Sequence, residues 1–170
     1  MSILVPVYQT GITLTEVPDH ISFFIELGQC KQHCEGCHSP HLWEDMETLT
    51  PLETICIEAT QAVAKGANAI VLMGGTTNKG VTSENLVEIV KALSQIAPVC
   101  LYSGTDNIVA GTLEFLTWLK IGSYQKDLGG LDSPKTNQKF FRKEKGNIPM
   151  WRDVTYLFRH ENIDSFSSRR

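Results

Sequence analysis

Three cysteines within eight residues, in the segment Cys30-Lys-Gln-His-Cys34-Glu-Gly-Cys37, carry the clearest chemistry in this sequence. A C-x3-C-x2-C spacing lets three thiolates from one loop reach three corners of a cubane [4Fe–4S] cluster, and no fourth cysteine lies nearby for the remaining iron. A four-cysteine site saturates its irons and only transfers electrons, whereas three ligands leave one iron open to bind and polarise a substrate. Gly28 and Gly36 allow tight backbone turns around such a cluster. The competing reading is a structural zinc ion whose tetrahedron is completed by His33, His38 or His41. Zinc knuckles usually pair two short ligand motifs, and no second pair follows downstream. Cys56 and Cys100 read as ordinary core cysteines, the first on an apolar helical stripe and the second in a buried strand.

The elements that must hold this segment alternate. Ile21–Leu27 (ISFFIEL) is rich in β-branched and aromatic residues, so it predicts a strand that leads straight into the cysteines. Thr50-Pro51-Leu52-Glu53 predicts a helix start, with Thr50 as N-cap, Pro51 at the first helical position and Glu53 closing a capping box. Leu52, Cys56, Ala59 and Val63 form the apolar stripe of that helix, and Gly66 stops it. Ala69–Met73 (AIVLM) is the unbroken apolar run of a parallel strand covered on both faces.

The unit then recurs. Thr82 or Ser83 caps a second helix with Leu86, Ile89, Val90, Leu93 and Ile96 on its buried face, and Pro98 prevents its continuation. Val99–Tyr102 is the next strand, Ile108–Leu116 a third helical stretch, and Trp118–Ile121 a fourth strand. Strands alternating with helices imply a parallel sheet with right-handed crossovers. Four or five such units cannot close an eight-stranded barrel, so the expected fold class is α/β, an incomplete barrel of parallel strands. Beyond it, Leu128–Pro134 is a loop, and Lys139–Glu144 with Ile148–Thr155 flank Gly146-Asn147 as a hairpin.

The chain has 170 residues, enough for one ordinary core and too few for two comfortable domains. We expect a single domain over 1–170, with its core at 21–122, a C-terminal loop and hairpin at 123–158, and a frayed tail at 159–170. Fifteen Lys+Arg against 19 Asp+Glu give a net charge of −4, which offers no global positive field for nucleic acid. No apolar run approaches the ~20 residues of a membrane span, and the first ten residues lack a basic leader. The expectation is a cytoplasmic protein with neither a membrane nor a nucleic-acid partner. Five cysteines, three of them clustered, fit bound metal better than a disulfide framework.

The cysteine spacing after the first strand, on a chain of βα units, resembles the radical-SAM superfamily. The short length, Cys34–Pro40 (CEGCHSP), Gly74-Gly75, Tyr102-Ser103-Gly104 and Gly129–Gln138 (GGLDSPKTNQ) are together similar to the family of activating proteins for anaerobic ribonucleoside-triphosphate reductase. The likeness runs from about Ile21 to about Thr155.

That resemblance implies a partial radical-SAM βα barrel whose cluster, on Cys30, Cys34 and Cys37, binds and reductively cleaves S-adenosylmethionine. A glycyl radical is then generated on the large subunit of the anaerobic reductase, with flavodoxin or ferredoxin as electron donor. Gly36, Cys37 and His38 would line the adenine side of the cofactor, and Gly74 and Gly75 would offer backbone groups to its methionine part. The family usually has an acidic residue after the glycine pair; here Thr76 stands there, so the ammonium contact would come through a hydroxyl or carbonyl, with Ser103 as a further hydroxyl. Loop 128–138 would form part of a docking rim. The alternatives are another radical-SAM enzyme, either a different glycyl-radical activase or a deazaguanine-type synthase, and a non-catalytic module with a structural metal.

Overall fold

The computed structural model describes residues 2–159. In chain order its strands are β1 (Leu4–Val5), β2 (Val7–Thr13), β3 (Ser22–Leu27), β4 (Thr50–Pro51), β5 (Ala69–Met73), β6 (Val99–Tyr102), β7 (Trp118–Ile121), β8 (Lys139–Glu144) and β9 (Met150–Asp153). Its α-helices are α1 (Leu52–Ala64) and α2 (Ser83–Ser94). Seven strands form one mixed sheet in the order β2-β3-β5-β6-β7-β8-β9. The four central strands β3, β5, β6 and β7 are parallel, with β2 antiparallel on one flank and the β8–β9 hairpin on the other. The sheet is open, with β2 and β9 as its edges.

Side chains alternate across a strand, so each central strand serves two faces. Phe23, Ile25 and Leu27 of β3, Ile70 and Leu72 of β5, Val99 and Leu101 of β6, and Leu119 of β7 pack with Ile55 and Ala59 of α1 and Leu86, Ile89, Val90 and Leu93 of α2. The opposite face holds Ala69, Val71, Cys100, Trp118 and Phe140, covered by Val17 and Val154. The apolar runs are unbroken because both faces are covered, one by helices and the other by loops.

Several expectations are corrected. The segment Ile108–Leu116 is not a helix: only Ala110–Thr112 forms one 3-10 turn. Gly111 sits in that turn close against α2, where a Cβ would lie 3.0 Å from Val87 Cγ2. Thr50 does not cap α1; the N-cap is Pro51, and Thr50-Pro51 pairs antiparallel with Leu4-Val5. Glu53 closes no capping box, because it accepts a hydrogen bond from the Ser2 hydroxyl. The buried face of α1 centres on Ile55 and Ala59, while Leu52, Cys56 and Val63 are partly buried. Strand β2 was not expected, and the second hairpin strand starts at Met150 rather than Ile148, which is 77% exposed. The expected tail at 159–170 lies outside the described residues except for Arg159. Among the described residues no helix is long and apolar enough to cross a membrane.

Of the two caps the sequence offered for α2, Thr82 is the one used: its hydroxyl accepts from Asn85 N at 3.1 Å. Thr82→Ala should therefore cost about 1 kcal/mol in urea unfolding. Ser83→Ala should cost much less.

Candidate functional site

The carboxyl ends of the four parallel strands feed the loops 28–39, 74–82, 103–109 and 122–138, which is where ligand sites form in α/β sheets. On the helix-free face the last residues of these strands stand in register: Glu26 beside Met73, Met73 beside Tyr102, Tyr102 beside Lys120. Above the Tyr102–Lys120 end opens a cavity of about 560 Å³, whose lining includes Cys37, His38, Tyr102, Lys120, Tyr124 and Asp132. A second cavity, of about 410 Å³ between β2 and α1, contains no cysteine.

The cysteine loop is held at its root by Asn78. The buried Asn78 carboxamide donates to Leu27 O (3.2 Å) and Gly28 O (2.7 Å) and accepts from Gly75 N (2.7 Å). Cys30 and Asn78 form an antiparallel bridge, flanked by Lys31 N→Thr77 O (2.9 Å) and Lys79 N→Gln29 O (3.0 Å). Gln29, buried with φ +61°, adds Nε2→Lys79 O (2.7 Å) and accepts from Met46 N (2.9 Å). Outside this clasp, Asp45 bridges Lys31 and Lys79 at 2.8 and 3.0 Å. Hydrogen bonds from Lys31 and then Lys79 lower its carboxyl pKa to about 2. The loop then turns through His33 and Gly36, both at positive φ.

All three cysteines are free and half-buried. The Cys30 thiol lies 3.3 Å from the Thr77 hydroxyl, and Cys37 Sγ accepts from Ser39 N at 3.4 Å. Among the described residues no three His, Cys, Asp or Glu side chains converge on a position for one metal ion. Each histidine proposed as a zinc ligand has an aromatic partner: His33 stacks on Trp43, His38 meets Tyr124 at 3.2 Å, and His41 packs on Tyr8. A cubane takes its thiolates at separate corners, and three free thiols on one loop are its donor chemistry.

The structure gives Gly74 and Gly75 a reason of their own. Both lie at positive φ, and their N–H groups are already engaged, with Tyr102 O and with Asn78 Oδ1. A Cβ on Gly74 would sit 2.8 Å from Asn78 Oδ1, and one on Gly75 would sit 2.6 Å from Leu86 Cδ1. Only their carbonyls are left to offer a ligand. Thr76 and Ser103 are brought together at 3.0 Å. Since Ser103 Oγ donates to Thr105 O, Thr76 is the donor of that pair. Gly36 packs beside the Lys126 side chain.

Lys120 was not singled out from the sequence, although a lysine in the apolar run Trp118–Ile121 was a visible signal, and Tyr102 entered only through the Tyr102-Ser103-Gly104 likeness, with no role of its own. Lys120 Nζ donates to Gly122 O (3.1 Å) and stands 5.8 Å from the Tyr102 ring centroid. Burial pushes its pKa down to about 8, against the attraction of Cys34, Cys100 and Glu16. Burial also raises the Tyr102 phenol, whose hydroxyl donates to Glu16 O. The buried Cys100 thiol is held well above its usual range by desolvation, and Cys56 is raised for the same reason.

Two outcomes follow. Asn78→Ala strands Gly75 N–H and two carbonyls, so it should cost about 2–4 kcal/mol in urea unfolding. Asn78→Asp should not restore stability, because a carboxylate cannot donate to Leu27 O and Gly28 O. For Lys120 the folded pKa lies below the unfolded value of about 10.4. From about pH 8 to about 10.4 the unfolded chain therefore binds more protons, and this residue's contribution to stability rises with pH. Lys120→Met should raise the melting temperature of the metal-free protein at pH 7 by roughly 2–4 °C, and the gain should shrink by pH 10. No family model, curated protein or solved structure matches this chain.

Proposed function

We propose that this chain is a radical-SAM activase acting on the large subunit of an anaerobic ribonucleoside-triphosphate reductase. The observation that carries the reading is the set of three free cysteines on the loop leaving the first parallel strand, beside a cavity that Cys37 itself lines. A bound [4Fe–4S] cluster would supply the electron that cleaves S-adenosylmethionine, and the resulting radical chemistry removes hydrogen from a glycine backbone carbon of the partner.

This chain's residues do the rest. Cys30, Cys34 and Cys37 would hold three of the irons, and the fourth, without a protein ligand, would be free to bind the cofactor. Lys120 offsets negative charge from the thiolates, consistent with the attraction between it and Cys34. His38 and Tyr124, hydrogen-bonded to each other, wall the side expected to take adenine. Thr76 and Ser103 supply hydroxyls where an acidic residue would otherwise meet the ammonium. Flavodoxin or ferredoxin is the proposed reductant, and the free thiols fit a reducing cytoplasm.

The finer fold reading is a partial radical-SAM barrel, with the helix-free face as its interior. Helices on a single face and four sequential parallel strands support it. The missing third crossover helix weighs against it.

Anaerobic reconstitution tests the proposal. Cys30→Ala, Cys34→Ala and Cys37→Ala should each lose the cluster absorption and 5′-deoxyadenosine formation, while Cys56→Ala and Cys100→Ala keep both. With the reductase present, a glycine-centred doublet should appear by electron paramagnetic resonance. Full cleavage by Cys34→Ala would overturn the cluster assignment. Cleavage without the doublet or any association would overturn the choice of partner.

A further inference from the structure

The two edges of the sheet are built differently. Edge strand β9 is four residues long and carries Arg152 and Asp153, and short, charged strands are how sheet edges ordinarily resist further pairing. Edge strand β2 is seven residues long, VYQTGIT, with no charge and no proline. Its one irregularity lies between Val7 and Gln9, so Gln9–Thr13 pairs with β3 without interruption. Among the described residues no strand pairs with its outer side. Ile12 on that edge is 54% exposed, and Leu14 just beyond it is 68% exposed.

Beside this edge α1 presents a stripe whose charge reverses about its middle. Glu58, Gln61 and Lys65 line the groove of about 410 Å³ between α1 and β2, with Thr10, Gly11 and Ile12 on the strand side. Neither Glu58 nor Lys65 forms an ion pair among the described residues. Glu58 Oε2 accepts from the Thr10 hydroxyl at 3.0 Å, which sets the level of the helix against the strand. Because α1 crosses back between parallel β3 and β5, it runs in the same direction as β2. At ~1.5 Å per helical residue, Gln61 stands about 4.5 Å beyond Glu58 and Lys65 about 10.5 Å beyond it. At ~3.4 Å per strand residue, Gln61 is then level with Gly11 and Lys65 with Thr13.

A two-fold axis perpendicular to the sheet at Gly11 pairs β2 antiparallel with a copy of itself. Thr10 and Ile12 share the helix-side face, since they pair with Ile25 and Phe23 of the helix-side core. Each would oppose the other across the axis. The same rotation sets Gln61 against Gln61 and brings Glu58 of each copy to within about one strand residue of the level of Lys65 of the other. An edge and a stripe that both match their own inverse are what an isologous contact requires, and an unrelated partner gives no reason for that match. We infer that the β2 edge and the α1 groove form an interface with a second copy of this chain, in a two-fold dimer whose sheet runs on through both copies. The inference uses no residue given a role in the proposed function.

The test follows full-length, metal-free protein by sedimentation equilibrium over a concentration series, where a reversible dimer is expected. Glu58→Lys and Lys65→Glu each set like charges opposite one another, twice per dimer. Each should raise the dissociation constant about tenfold or more. Combining the two exchanges the charges and should bring the constant back towards wild type, a recovery that requires the two positions to face each other. Ile12→Lys puts a charge on the edge at an exposed position, so that variant should stay folded by far-ultraviolet circular dichroism and become monomeric. A chain with all three clustered cysteines changed to alanine should dimerise as wild type does, so failure of the cluster reading leaves this result intact. A monomer throughout the series, a dimer indifferent to folded Ile12→Lys, or a double reversal no tighter than either single one would overturn the proposal.

Discussion

The carboxamide of Asn78 joins two loops through residues 50 and 51 positions apart in the chain, and the geometry around the cysteines depends on it. Its NH2 group binds the carbonyls at the root of the cysteine loop, while its oxygen takes the Gly75 N–H. Each of these backbone groups would otherwise be a buried polar group without a partner. The same contact accounts for the glycines beside it: Gly74 has no room for a Cβ against Asn78, and Gly75 has none against Leu86. A substitution at Gly75 therefore disturbs the α2 core and the left-handed turn before it says anything about a cofactor. The Cys30–Asn78 bridge and the outer Lys31–Asp45–Lys79 pairs extend the clasp, so the cysteine loop leaves β3 from a fixed base even without metal.

The two faces of the sheet divide the work between stability and chemistry. Both helices press on one face, where the apolar positions of β3, β5, β6 and β7 meet them. The other face is apolar through Val71, Cys100 and Trp118, and at its loop end the polar Glu26, Tyr102 and Lys120 stand in a row with the apolar Met73. That change of character within two residues places charged and hydroxyl-bearing side chains over the loops while the core beneath stays dry. The lowered Lys120 and raised Tyr102 pKa values are consequences of this position, since both are polar groups standing on an apolar floor.

Much of the sheet was legible because strands covered on both faces leave unbroken apolar runs: Ile21–Leu27, Ala69–Met73, Val99–Tyr102 and Trp118–Ile121 all recur in the structure to within a residue. Strand β2 was not, because it lies at an edge where Tyr8 and Gln9 face solvent and no such run survives. In Ile108–Leu116 the expected helix is absent. Val109, Leu113 and Leu116 do reach the core, but a single 3-10 turn is enough to deliver them. The position of the cysteine loop, leaving β3, was legible from the strand before it. Asn78 was not, since an asparagine in Thr76-Thr77-Asn78-Lys79-Gly80 reads as turn chemistry, and its real partners lie far away in the chain.

Glu26 and Lys120 were both visible as charges inside apolar strands, and their placement has a meaning that neither has alone. They end the same register row, with Met73 and Tyr102 between them, so the floor of the site is negative on the β3 side and positive on the β7 side. Cys37 and His38 stand over the positive end, and Glu16 lines both the cavity there and a recess of about 180 Å³ beside Glu26, which makes it the wall they share. The backbones of Glu26 and Lys120 lie three strand spacings apart, about 14 Å, and Glu16 bridges the interval from the wall, where its attraction for Lys120 works against the burial that lowers the lysine's pKa. A polar group bound along the row therefore meets Glu16 as well as the strand-end side chain beneath it.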